Sequence, residues 1–250
     1  MTVRPPLVYL DHWALRRLGE NTSERSHFLR TFEKQGTVMF SLMNALEMML
    51  NTGRSYDQLT SFLDDIGPHW LLTEVDPETC QRAEDQGLSQ PNCFLTDQRL
   101  TAILFNNMPA GTIKLGTALK AVQGDEFRAM ADRSSATAAL VRVAQQSRAD
   151  WKAGRKMPTL VIPKGSPRWV ELTLLRFFIK DGKTIEENDM TDFLHACVPF
   201  VYAHIVMLDG AWANFARKLK LKETHVFTNG TFQDALNTMH SLRVSGIKAR

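Results

Sequence analysis

Cysteine is scarce, with three residues (Cys80, Cys93, Cys197) scattered through 250 positions and no Cys-x-x-Cys pair. That excludes a zinc ribbon or a disulfide framework and points to a reducing compartment, the cytoplasm. Glycine (14) and proline (10) are too few for a collagen-like or low-complexity chain. Long apolar runs are missing as well. The longest, 196–208, contains Pro199 and His204 and is flanked by Asp192 and Asp209. It falls short of the ~20 residues that a membrane span needs, so no membrane partner is expected. Near the N-terminus, Leu7-Val8-Tyr9-Leu10 is closed at once by Asp11, too short for the apolar core of a signal peptide. Local catalytic signatures are absent too. There is no Gly-rich phosphate loop, no Gly-x-Ser-x-Gly elbow, and no His-x-x-x-His spacing among the seven histidines.

What is present is an ordinary globular composition: 44% hydrophobic, 23% charged and 9% aromatic residues. A chain of this length buries a substantial core as one domain, 1–250. The net charge of +3 says little, but its distribution says more. Between Asp57 and Asp85 stand eight acids and one base, Arg82. Between Arg142 and Trp169 the balance reverses to seven bases and one acid, Asp150. That basic stretch includes Arg148, Lys152, Arg155 and Lys156 and carries Trp151 and Trp169. A second basic cluster, with Lys218 and Lys220, follows Asp209. Bases interleaved with tryptophan suit a polyanion, although a solvated helix face has the same composition.

Periodicity gives the architecture. Continuous apolar or β-branched runs at 7–10, 37–40, 70–75, 205–208 and 225–227 read as short buried strands. Helical spacing fills the intervals, as in 55–66, where Tyr56, Leu59, Phe62, Leu63 and Ile66 share one face. Helices are also read at 127–151 and 189–201, and a proline-rich loop at 157–167. Strands alternating with helices imply an α/β fold with a parallel sheet. Its core comes from 1–75 and 184–250, with a helical insertion at 76–183.

Ligands of such sheets sit beyond the carboxyl ends of the strands. Asp11 follows the first strand and Asp209 the fourth, while Glu47 lies about two turns into the helix after the second. Asp189 and Asp192, three apart, share a face of the helix before the fourth strand. Asp11, Asp189 and Asp209 also suit helix N-caps. Glu47, set among Leu46, Met48, Met49 and Leu50, has no obvious solvated face. Gathered carboxylates repel, and a hard dication such as Mg²⁺ or Mn²⁺ resolves that cost through oxygen ligands.

The segments Tyr9-Leu10-Asp11-His12-Trp13, the Glu47 helix, Asn188-Asp189-Met190-Thr191-Asp192-Phe193-Leu194-His195 and Tyr202-Ala203-His204-Ile205-Val206-Met207-Leu208-Asp209 resemble a PIN-like nuclease. The resemblance covers roughly 5–75 and 184–245. It implies a three-layer α/β/α fold and a metal-dependent endoribonuclease that hydrolyses RNA phosphodiester bonds. Asp11, Glu47, Asp192 and Asp209 would be its catalytic acids, holding Mg²⁺ or Mn²⁺ with Asp189 as an extra ligand. His195 and Asn188 would support them from behind. Arg148, Lys152, Arg155, Lys156, Lys218 and Lys220 would hold the nucleic acid. The partners implied are single-stranded RNA, an inhibitory protein if the chain acts as a toxin, and a second copy in a homodimer. The chain departs from the family pattern at His204 and at Gly210-Ala211. These departures admit the alternative of a catalytically weak or inactive RNA-binding module that keeps the fold.

Overall fold

Five short apolar segments form the strands β1 (Leu7–Leu10), β2 (Thr37–Ser41), β3 (Trp70–Thr73), β4 (Ile205–Met207) and β5 (His225–Phe227) in a computed structural model of the chain. The structure describes residues 6–32, 36–49, 53–87, 96–108, 114–122, 133–156, 162–180, 186–221 and 225–245. The strands form one sheet in the order β3-β2-β1-β4-β5, and every pairing is parallel. Each backbone pair therefore needs a crossover, and helices supply it.

Side chains alternate across the sheet, and those of β1, β2 and β4 are buried on both faces, as in parallel sheets generally. Val8, Leu10, Val38, Phe40, Leu72, Ile205 and Met207 point into one core. Leu7, Tyr9, Met39 and Val206 point into the other. The first core is covered by α1 (His12–Glu20), α2 (Thr22–Phe32), α4 (Gly53–Asp65) and α13 (Phe232–Ser245). The helix α3 (Leu42–Met49) adds Leu42, Ala45 and Met48 to it. The second is covered by α10 (Glu187–Cys197), α11 (Pro199–Tyr202) and α12 (Gly210–Leu219). The result is a three-layer α/β/α sandwich.

The helical stretch read at 76–183 divides between the two layers. Two of its helices, α6 (Gln98–Asn106) and α7 (Leu115–Ala121), send Leu100, Leu104, Leu115 and Leu119 into the first core. Three others, α5 (Pro77–Asp85), α8 (Arg133–Lys152) and α9 (Pro167–Lys180), place Cys80, Ala144, Val170 and Leu174 in the second. The α4–α7 contact is close enough to require glycine. A Cβ on Gly116 would stand 1.9 Å from the Thr60 carbonyl oxygen.

The sequence reads 189–201 as one helix, but two are observed. Pro199 lacks an N–H and starts the short α11 at its first position, so α10 stops at Cys197. Of the 127–151 helix, residues 127–132 lie outside the described residues, as do 157–161 of the proline-rich loop. Cys80 and Cys197 are buried free thiols, and Cys93 lies outside the described residues. No described helix is long and apolar enough to cross a membrane.

The chain lays down β1, β2 and β3 in one direction, then crosses back to place β4 on the other side of β1. The order reverses between β1 and β4, and the crevice at their carboxyl ends is the place for a ligand. There the Asp11 N–H donates to the Met207 carbonyl at 3.1 Å, which ties the first residue past β1 to the end of β4.

Candidate metal centre

Each acid reaches this crevice for a local reason. Asp11 ends β1 and caps α1, its Oδ1 accepting the His12 N–H at 2.7 Å. Asp209 does the same for α12, accepting the Ala211 and Trp212 N–H groups at 2.9 and 3.2 Å. Both are therefore N-caps, and capping is what aims them at the sheet edge. Glu47 is carried by α3, whose start is fixed by a reciprocal cap. The Ser41 N–H donates to Asn44 Oδ1 at 2.9 Å, and the Asn44 N–H donates to Ser41 Oγ at 3.3 Å.

Asp11, Glu47 and His195 converge, and one donor atom from each lies within 4.8 Å of the others. His195 is fully buried, with Nε2 3.1 Å from Glu47 Oε2 and Nδ1 against the Tyr9 hydroxyl. Tyr9 lies in turn 3.4 Å from Ser41 Oγ. The sequence assigns His195 a supporting place behind the acids, whereas the structure sets it among them.

Asp192 belongs to the same field. Burial raises its carboxyl to about 7, helped by the charges of Asp11 and Asp209, while His195 and a hydrogen bond from the Trp212 side chain oppose the shift. Asp11 is raised by burial and by Glu47 and Asp209, against the pull of His195. Burial would raise Glu47 too, but the neighbouring His195 outweighs it and holds the carboxyl below its ordinary range. Burial would lower His195, but Glu47, Asp11 and Asp192 outweigh that and raise it. Four carboxylates and one imidazole thus share one electrostatic site.

Asp189 is buried but committed to the fold. Its Oδ2 accepts the Glu186 N–H at 3.0 Å in a capping box at the start of α10. The side chain of Asn188 lies outside what is described. His204, where the chain departs from the PIN-like pattern, stands before β4 at the opposite edge of the sheet. There its Nδ1 accepts the Leu7 N–H at 3.0 Å, so the departure does not touch the acids.

Of the six residues expected to hold nucleic acid, one is turned inward and two lie away from the acids. Arg148 is 9% exposed, and its Nε donates to the Ile179 carbonyl at 3.1 Å, capping the end of α9. The signal was available: Arg148 falls one turn after buried Ala144, on the inward face of α8. Lys218 and Lys220 sit at the far end of α12 from Asp209, about 15 Å along the axis. Lys218 lies over the Phe177 and Phe215 rings, 5.7 and 5.1 Å from their centroids. Lys152, Arg155 and Lys156 are exposed, with Arg155 paired to Asp150 at 2.9 Å. Trp151 is 37% exposed beside them.

Sequence reasoning missed Tyr9, Ser41 and Asn44. A phenol in a strand that otherwise carries only aliphatic side chains, two residues before Asp11, was the available signal.

The chain matches no protein-family model, no curated protein and no solved structure.

Proposed function

We propose that the protein is a metal-dependent endoribonuclease of PIN-like fold, cleaving RNA at the β1–β4 crossover. The observation that supports this reading is the gathering of buried acids at the crevice: Asp11 and Glu47 meet within 4.8 Å beside His195, and Asp192 is raised to about 7 by burial and by Asp11 and Asp209. Carboxylates crowded out of water are costly to charge, and a dication removes that cost. The residues present fit such an ion. Asp11, Glu47, Asp192 and Asp209 offer hard oxygen donors, and donor atoms of Asp11, Glu47 and His195 lie within 4.8 Å of one another. Asp189 is a weaker candidate because its carboxylate is occupied by the helix cap.

When bound, Mg²⁺ or Mn²⁺ would acidify a water and offset charge on the scissile phosphate. The chain's own contribution is positioning. The N-cap bonds hold Asp11 and Asp209 at the sheet edge, and His195 Nε2 stands 3.1 Å from the carboxylate of Glu47. Lys152, Arg155 and Lys156 offset the repulsion between an acidic crevice and a phosphate backbone.

The test is cleavage of a generic single-stranded RNA with Mn²⁺, with Mg²⁺ and with EDTA, for the native chain and for Asp192→Asn. Cleavage that needs a dication and is lost in the variant supports the reading, and cleavage that persists in EDTA rejects it. A second reading, an RNA-binding module with little or no turnover, is favoured by one observation: the Glu47 charge is already answered by His195. RNA binding indifferent to metal and without cleavage would favour that reading.

A further inference from the structure

The hydrogen-bond directions behind His195 follow from one fixed end. Asn44 Nδ2 donates to the Leu10 carbonyl at 3.0 Å, and the Ser41 N–H donates to Asn44 Oδ1 at 2.9 Å. A carbonyl only accepts and an N–H only donates, so the Asn44 amide has one orientation. Ser41 Oγ stands 3.0 Å from that same Oδ1, which can only accept, so the Ser41 hydroxyl donates there. The Tyr9 hydroxyl, 3.4 Å from Ser41 Oγ, must then donate to Ser41. Its oxygen is left to accept, and Nδ1 of His195 must be the N–H that meets it.

This leaves Nε2 as the free end of the ring. It is completely buried and aimed at the acids, 3.1 Å from Glu47, but off the line of a well-formed hydrogen bond. A separation of 3.1 Å is that of two neighbouring donors on one small cation with bonds of about 2.1 Å. Metal-bound histidines typically donate their other N–H to a neighbouring acceptor, which fixes the tautomer. Tyr9 fills that place.

We propose that His195 Nε2 is a metal ligand, completing with Asp11 and Glu47 a nitrogen–oxygen donor set that favours Mn²⁺ over Mg²⁺. The inference rests on the metal reading above and narrows it. Mg²⁺ takes oxygen donors and keeps its waters, whereas imidazole nitrogen suits first-row transition ions. A ligand set of carboxylates alone would show no such preference for Mn²⁺ from nitrogen.

Pulsed EPR of the full chain with one equivalent of Mn²⁺ tests this directly. The expected spectrum carries echo modulation from a directly bound nitrogen, which changes pattern when histidine is labelled with the heavier nitrogen isotope. In His195→Gln the modulation disappears, and Mn²⁺ affinity falls at least tenfold while Mg²⁺ affinity changes little. Tyr9→Phe keeps the modulation but weakens Mn²⁺ binding by roughly tenfold, the usual cost of losing the partner behind a histidine ligand. Should His195→Gln not fold, the isotope experiment on the native sequence decides alone. Bound Mn²⁺ without nitrogen modulation overturns this inference and leaves an oxygen-only metal site standing. No Mn²⁺ binding at all overturns both.

Discussion

The two sides of the β1–β4 crossover handle buried charge in opposite ways. On the β2 side, Glu47 has His195 3.1 Å away, and its carboxyl is held down despite burial. On the β4 side, Asp192 feels Asp11 and Asp209, and its carboxyl is pushed up to about 7. Burial disfavours charge on both sides, so the difference comes from the neighbours. Without a metal, one side is answered by an imidazole of the chain itself. On the other, burial and like charges outweigh the pull of His195, and a cation held by Asp11, Glu47 and His195 would add positive charge to both sides.

Breaking the β4 side should have the largest effect. Asp192→Asn or Asp209→Asn keeps the shape and removes charge, so RNA cleavage under Mn²⁺ should fall by several kcal/mol at the transition state, on the order of 10²-fold or more. Initial rates on a labelled single strand measure this. An unchanged rate in either variant would place the chemistry outside this corner.

Breaking the β2 side should damage the fold more than any other single charge change. In the metal-free chain, Glu47→Gln takes from buried His195 the carboxylate that most favours its charged form, which should cost about 2–3 kcal/mol in denaturant unfolding where that form is populated. His195 has a raised value, so its contribution is complete below the ordinary histidine range and is lost as pH rises through the folded value. The penalty of Glu47→Gln should therefore shrink at alkaline pH. A pH-independent penalty would mean that the pair contributes packing rather than charge.

The same substitution that removes activity on the β4 side should stabilise the metal-free fold. Asp192 binds its proton more tightly folded than unfolded, so its stabilising contribution is full below pH 3.8 and is lost as pH rises to about 7. Above that range the native chain carries an unfavourable carboxylate that Asp192→Asn lacks. After allowance for the part of the side chain that water screens, the gain should be about 1 kcal/mol at about pH 8, a rise of a few degrees in Tm. The gain should vanish near pH 4. Saturating Mn²⁺ should erase the advantage by stabilising the native sequence alone.

The sequence revealed what depends on local pattern and hid what depends on distant contact. Leu7–Leu10 is read to the residue because a short apolar run ends abruptly at Asp11, and His225–Phe227 because a short β-prone run lies between Thr224 and Thr228. Asp11 and Asp209 are legible for the same reason, since each closes a strand and opens a helix. Glu47 stands out as the one acid in an apolar helix. The Tyr9–His195 contact spans 186 positions, and neither partner carries a periodic signature. The division of 76–183 between two layers is hidden too, because periodicity assigns helices and not the face of the sheet that each one covers. Arg148 looks like its basic neighbours in composition, and only its place on the inward face of α8 separates it from them.

The smallest effect is expected where charge is fully in water. With Arg148 buried and Lys218 and Lys220 at the far end of α12, the expected RNA contacts that stay exposed at the end of α8 and just beyond it are Lys152, Arg155 and Lys156. They follow exposed Trp151 in the chain, and α8 is tied through Arg148 to the end of α9, from which the chain runs on to α10 and Asp192. Each phosphate neutralised releases condensed counterion, so the log–log salt slope for a single strand is about −0.7 per contact. Arg155→Ala with Lys156→Ala should flatten that slope by roughly one unit if both touch phosphate. Arg155 gives up only an exposed pair with Asp150, so stability should stay within about 0.5 kcal/mol of the native value. Trp151→Ala should weaken binding by ~1–3 kcal/mol with the slope unchanged, because stacking releases no counterion. Filter binding across a salt series separates the two terms. An unaltered slope in the double variant would make this basic stretch a solvated helix end and move the RNA path to another side of the acidic crevice.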